Sequence, residues 1–338
     1  MYIFYIHSHI TYVLSQLIVK EYNMAQEDVR YITSRGYKVK HGMIKVFDIT
    51  PFYDYLERSS KIKKLFEIKN KIKELDIEIR KLSNNTPFCI FLPQFNHSLF
   101  QILGSHRLCK DLVLIEEGIT AYKQDQTFYK RPRQVFFKAL FNTYTKRFLL
   151  KNSHYAPFPK EKFKYAICIN KDCFPYIEDK KVLQINAKAF PNYKTTIAHN
   201  STVFVLDSFK EQTKITEQEY LNIVYETLSP VSHHKKLYIK FHPVQSEHTR
   251  KQTITYIEEN FEYESIICLP DDCLAEVEFI RLENITVVGM HTSLLYYARR
   301  FGHNVFSSIK TTSINPKINS YIDHIMDEFQ KKEYLSYE

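Results

Sequence analysis

The sequence predicts an α/β protein made of two parallel sheets, and three observations predict it. Short apolar runs recur along the 338 residues, helical patterns follow most of them, and a polar stretch interrupts the series once beyond the middle. Hydrophobic residues make up 44% of the chain and charged residues 25%, the balance of a soluble globular protein, which excludes disordered and fibrous classes. A chain of 338 residues exceeds the usual single-domain size, so two domains are expected.

In the first series MYIFYI precedes VLSQLIVKEY, FCIFL precedes SLFQILGSH, and LVLIEEG runs into a long basic stretch. In the second, TVFVLDS precedes EQEYLNIVYETLS, LYIKFHP precedes HTRKQTITYIEENF, SIICLP precedes CLAEVEFIRLE, and ITVVGM precedes SLLYYARRFG. Strand and helix alternating in this way build parallel sheets with helices on both faces, so the two series imply two Rossmann-like halves. Between them FPNYKTTIAHNS, residues 190–201, is polar and aperiodic and contains Pro191; it reads as the linker between domains 1–190 and 200–338. Residues 59–85 place Ile62, Leu65, Phe66, Ile72, Leu75, Ile79 and Leu82 at three- and four-residue steps among charges, which is an amphipathic helix with a solvated face.

The formal net charge of +9 implies an anionic partner: nucleic acid, a membrane surface, or an acidic metabolite or glycan. Six cysteines (Cys89, Cys109, Cys168, Cys173, Cys268, Cys273) lie in or beside apolar runs, and their C-x4-C pairs lack the two-residue knuckles of structural zinc. Buried free thiols in a reducing cytoplasm fit that pattern. The apolar N-terminus is interrupted by His7, Ser8, His9 and Gln16, and no window reaches the ~18–20 unbroken apolar residues that a membrane span needs, so a soluble or peripheral protein is expected. Between 123 and 164, Lys130, Arg131, Arg133, Lys138, Lys146, Arg147 and Lys151 interleave with Phe136, Phe137, Phe141, Tyr144 and Phe148. That pattern suits an anionic lipid surface, an acidic glycan, or a helix packed on its own domain with a basic outer face.

Ligands of open α/β sheets sit outside the carboxyl ends of the strands, so residues just after a strand carry the functional expectation. Three such places stand out. After LVLI come Glu116-Glu117-Gly118: adjacent carboxylates repel, which moves one of them toward general-base range, and the glycine permits a tight turn. After LYIKF come His242-Pro243, where proline stops the strand and holds the imidazole in an extended backbone. After ITVVGMH come Thr292 and Ser293, able to cap the next helix and, with its free amides, to hold a phosphate. Each also has a plain structural reading: a solvated turn, a histidine satisfied by a backbone carbonyl, and a cap serving only its own helix.

The order of the three motifs resembles the bacterial sialyltransferases and polysialyltransferases, marked by a (D/E)-(D/E)-G motif in the N-terminal domain and by an H-P motif and a Ser/Thr pair in the C-terminal domain. The opening HSHITYVLSQLIV and the segment FLPQFNHSLFQILGSH resemble these proteins too. The resemblance implies a GT-B fold, two Rossmann-like domains whose parallel sheets face a central cleft. It implies an inverting glycosyltransferase that needs no metal or other cofactor and moves a sialic or related nonulosonic acid from a CMP-activated donor onto a bacterial surface glycan such as capsule or lipooligosaccharide. Carried over residue by residue, Glu117 is the base, supported by Glu116 and Gly118; His242, in the His242-Pro243 motif, assists departure of the CMP phosphate. Thr292 and Ser293 bind that phosphate, and Glu276, with Glu278 close enough to be confused with it, holds the cytidine ribose. Here the acidic motif is Glu-Glu-Gly where many relatives have an aspartate, and the last pair is Thr-Ser where some have Ser-Ser. Expected partners are the CMP-sugar and the glycan acceptor, with an anionic membrane surface engaging 123–164, in the cytoplasm or on the inner face of its membrane. The other readings are a transferase of the same architecture using CMP-Kdo or a UDP-hexose, and a nucleic-acid-binding protein, for which no RNA-binding or helix-turn-helix signature is present.

Overall fold

The computed structural model describes the chain apart from residues 39–42, 96, 123–131, 149–161, 214, 234, 327 and 338, and for residues 120 and 132–135 it describes the backbone alone. The chain divides into two compact units, Met1–Gln184 and Ile185–Glu338.

The described residues of the first unit hold seven strands: β1 (Tyr2–Ile6), β2 (Val29–Thr33), β3 (Val46–Asp48), β4 (Phe88–Leu92), β5 (Cys109–Ile115), β6 (Phe163–Cys168) and β7 (Lys180–Val182). They form one parallel sheet in the order β3-β2-β1-β4-β5-β6-β7. The apolar runs are near-continuous because helices cover both faces of a parallel sheet. Ile3, Phe4, Tyr5 and Ile6 have no exposed surface, and Phe4 stacks on Phe91 of β4 with ring centroids 4.2 Å apart. Burying each such side chain contributes roughly 1.5–3 kcal/mol. β1 ends where Ser8 caps the helix His9–Glu21: Ser8 Oγ faces the Thr11 amide, and Thr11 Oγ1 accepts the amide N–H of both Ser8 and His7 at 3.2 Å. This capping box fixes the chain at the strand's carboxyl end.

The second unit holds β8 (Thr202–Val205), β9 (Lys236–Lys240), β10 (Ser265–Cys268), β11 (Thr286–Gly289) and β12 (Asn304–Ser307), parallel in the order β10-β9-β8-β11-β12. At the end of β11 a Cβ on Gly289 would stand 2.5 Å from the Val205 carbonyl oxygen of β8. Only glycine fits that approach.

Several features differ from the sequence-based expectation. The stretch 190–201, expected as a linker, lies in the second unit with its backbone engaged: Thr196 and Ile197 amides donate to Glu278, and Arg281 donates to the Phe190 carbonyl. The helix Lys61–Leu82 forms, but its core contacts come from Ile68, Ile72, Leu75 and Ile79, while Ile62 and Phe66 are 71% and 81% exposed. Cys268, expected to be buried, is exposed on the edge strand β10; all six cysteines are free thiols. Within the basic segment, Lys130, Arg131 and Lys151 lie outside the described residues. Arg147 points inward, paired with both carboxylate oxygens of Asp76 at 2.7 and 3.1 Å and donating to the Ile102 carbonyl, so that cation serves packing. Among the described residues no helix is long and apolar enough to cross a membrane.

Candidate active site

At the carboxyl end of β5 the two adjacent glutamates take different paths. Glu116 has no exposed surface, and its Oε2 accepts the Ile169 amide N–H at 2.7 Å, just beyond the end of β6. With the Glu116 amide donating to the Ile167 carbonyl at 3.1 Å, this carboxylate ties the ends of two neighbouring strands together. Gly118 follows with φ +64°, a left-handed conformation that lets the chain turn at once. Glu117 lies between them with its side chain 22% exposed. Of the pair, Glu117 is the one that solvent reaches.

A residue that the sequence reading passed over meets it. His7 follows β1, and its Nε2 is in direct hydrogen-bond contact with Glu117 Oε1. The imidazole is buried and packs against Tyr5 with centroids 5.2 Å apart. In the sequence His7 shows only as a polar interruption of an apolar start; nothing local links it to a glutamate 110 positions away.

The second unit gathers its candidates at the carboxyl ends of adjacent strands. His242 follows β9, Asp207 follows β8, and His291, Thr292 and Ser293 follow β11. The His242 amide donates to Gln245 Oε1 at 2.9 Å, and His242 Nδ1 accepts the Val244 amide N–H at 3.2 Å. An Nδ1 that accepts leaves the proton of the neutral ring on Nε2. Burial holds this imidazole below the ordinary histidine range, against the opposing pull of Asp207 and Glu211. Pro243 is exposed, and Arg250 braces the turn by donating to the carbonyls of His242 and Gln245. His291 Nδ1 lies 2.7 Å from Asp207 Oδ2. Neither His291 nor Asp207 had been expected from the sequence.

Thr292 is the N-cap of the helix Ser293–Arg300, its Oγ1 accepting the Leu294 amide at 3.3 Å. Thr292 is therefore spent on its own helix, whereas the Ser293 hydroxyl has no hydrogen-bond partner among the described residues. The positive end of the helix and that hydroxyl are the kind of donors that an anion can meet.

The neighbouring glutamates on the helix Ala275–Arg281 also divide. Glu278 accepts from the Tyr193 hydroxyl at 3.0 Å and from the amides of Thr196 and Ile197 at 2.9–3.2 Å. Glu276 is buried with Oε2 unpartnered among the described residues, and burial pushes its carboxyl up to about 7, against the pull of its own backbone amide and of Lys240. Lys240, the last residue of β9, donates to the carbonyls of Pro270 and Asp271 at 2.7 and 2.9 Å. Asp271-Asp272 form a turn after β10, with Asp271 paired to Arg250 at 3.0 Å.

Two parallel-sheet α/β units with reactive side chains collected at strand ends define the GT-B class of fold. A solved Listeria monocytogenes protein assigned as a UDP-N-acetylglucosamine 2-epimerase is similar over 99% of this chain and 90% of its own, with a TM-score of 0.51 and 10% identity. S. aureus MnaA, solved with UDP, gives 0.49 at 10% identity over 99% and 90% of the two chains. No curated protein matches by sequence. The profile of the alpha-2,8-polysialyltransferase family matches residues 5–311, and the chain belongs to that family. It is accordingly a glycosyltransferase, a class that carries a sugar from a nucleotide-sugar donor to a glycan acceptor.

Proposed function

We propose that the protein transfers a sialic acid, or a related nonulosonic acid, from a CMP-activated donor to a hydroxyl of a bacterial surface glycan, with inversion at the anomeric carbon and without a metal ion. The observation that carries this reading is family membership across residues 5–311, in a chain whose strand ends carry a reachable carboxylate, an imidazole and a hydroxyl. In this mechanism Glu117 takes the proton of the acceptor hydroxyl as its oxygen bonds to the anomeric carbon. The bond from that carbon to the CMP phosphate breaks, and its electron pair leaves with the phosphate. Charge then grows on the phosphate oxygen while the sugar passes through an oxocarbenium-like state, so donors are needed there and a base opposite. His242 meets that need through its Nε2–H, and Ser293 with the helix amides beside it holds the phosphate. Pro243 keeps the His242 backbone extended, and Thr292 keeps the helix capped so that those amides stay aligned.

Glu276 is the residue for the ribose hydroxyls: a buried carboxyl with an unpartnered oxygen is stabilised by any hydroxyl that donates to it. Protein donors at the phosphate take the place of a metal ion in this reading. The acceptor is a capsule or lipooligosaccharide glycan, and the reaction runs on the cytoplasmic side, with the protein peripheral to the membrane.

Incubation with CMP-Neu5Ac and a panel of galactosides and sialosides, followed by mass spectrometry, tests the whole reading. Acceptor masses raised by one or more sialyl residues are expected. If the sialyl donor gives no product and a UDP-hexose or CMP-Kdo does, the donor assignment is wrong.

A further inference from the structure

We propose that His7 is a positioning residue for this transfer, holding the Glu117 carboxylate in one orientation from the end of β1. The inference rests on the reading of Glu117 as the base.

The two residues reach each other across the sheet. β1 and β5 flank β4, and parallel strands about 4.8 Å apart put the two strand ends roughly 10 Å apart, a span that one histidine and one glutamate side chain close together. Both ends of this bridge are fixed. The His7 amide donates to Thr11 Oγ1 inside the capping box, and its ring packs on Tyr5, which meets Phe100 edge-on at 4.9 Å. Glu117 sits between Glu116, anchored to Ile169, and the left-handed Gly118. A solvent-facing glutamate ordinarily samples many rotamers, and a base that does so meets the acceptor hydroxyl only part of the time.

The tautomer follows from the surroundings. His7 Nδ1 is buried and has no hydrogen-bond partner among the described residues. A proton there would be an orphaned buried donor, and the Nε2 lone pair would face the lone pairs of the carboxylate. With the proton on Nε2, the contact is a charge-assisted N–H to carboxylate bond, and Nδ1 is only a bare acceptor. Nε2–H therefore donates to Glu117 Oε1. Because a carboxylate is planar, fixing one oxygen fixes the direction of the other. His7 moves no proton in the reaction; the acceptor's proton ends on Glu117. Around the pair stand further ionisable groups: Tyr5, whose hydroxyl bonds Ser34 and which feels Arg35, and Glu116.

The test compares His7→Leu and His7→Gln with the parent enzyme, using CMP release from CMP-Neu5Ac with a sialylated acceptor. His7→Leu is expected to lower kcat by about 10²-fold, the order of effect of a misplaced catalytic group, with the donor KM within twofold of the parent value. The acidic limb of its rate profile should move to higher pH, because the carboxylate has lost a donor. His7→Gln, whose amide can donate to Glu117, should restore a substantial part of kcat. Combined with Glu117→Gln, His7→Leu should cost little further rate, as expected of two residues acting as a unit. The proposal is overturned if His7→Leu turns over at the parent rate. It is equally overturned if both His7 variants lose rate alike with the acidic limb unmoved, which is the result of a structural role. Glu117→Gln at full turnover removes the base itself and the reading beneath the inference; an inactive Glu117→Gln beside a fully active His7→Leu removes only His7.

Discussion

Two pairs of neighbouring glutamates, one in each unit, divide their labour in the same way. At the end of β5, Glu116 is consumed by the Ile169 amide while Glu117 stays reachable; on the helix Ala275–Arg281, Glu278 is consumed by Tyr193, Thr196 and Ile197 while Glu276 keeps an unpartnered oxygen. They differ in how the remaining carboxylate is kept. Glu117 is partly in water and held in one orientation by an imidazole, the setting that the proposed base needs. Glu276 is buried with its carboxyl raised to about 7, and its unclaimed oxygen can accept a donor that arrives with a ligand once the group ionises. A carboxylate's job is set by who else needs its oxygens.

The comparison can be broken most decisively at Glu117. Glu117→Gln should reduce transfer by roughly 10²–10⁴-fold, the worth of one well-placed base, with CMP affinity unchanged in calorimetry. Full turnover would show that the reachable member of the pair is not the base. Glu278→Ala comes next: it strands a hydroxyl and two amides, and should lower unfolding stability by about 3 kcal/mol in urea denaturation. Glu276→Gln separates the two units by pH. The folded-state pKa of Glu276, about 7, lies above the ordinary 4.5, so the native protein binds the extra proton and loses stability as pH rises from about 4.5 through about 7. Glu276→Gln should flatten that part of the profile, by up to a few kcal/mol at neutral pH. Ribose hydroxyls donating to the ionised form would make CMP affinity rise over the same pH range, and affinity falling with pH would remove Glu276 from the ribose site. The smallest effect is at Ser293→Ala, where losing one hydroxyl donor should weaken CMP binding by up to about 10-fold; unchanged affinity would leave that hydroxyl idle.

How much of this was legible depended on whether the governing contact was local. β1, β4, β5, β8, β9, β10 and β11 follow apolar runs and were expected. β2 was not, because VRYIT carries Arg30, a charge that ordinarily marks exposure; here its guanidinium is buried against the carbonyls of Glu27, Val29 and Leu82. β7 is a three-residue edge strand, Lys-Lys-Val, with no apolar run to read. β3, β6 and β12 were also unmarked. The three motifs after strands could be located from order and spacing, since strand ends are where such folds keep ligands. Which glutamate of a pair is claimed by backbone amides could not be read, because the amides that claim Glu116 and Glu278 lie 53 and 82 residues away in the chain. Alternation along the strand gave no help either, as a sheet covered on both faces buries both sets of side chains.

Gly289 constrains the molecule through room rather than through conformation: its backbone needs no left-handed turn, yet the Val205 carbonyl occupies the space where any side chain would begin. In a saturation library this codon should tolerate no replacement, alanine included, even though no chemistry occurs there. Each replacement would wedge β11 off β8 and carry the His291-Thr292-Ser293 turn out of line, so a position silent in any catalogue of reactive groups would score among the most intolerant in the chain.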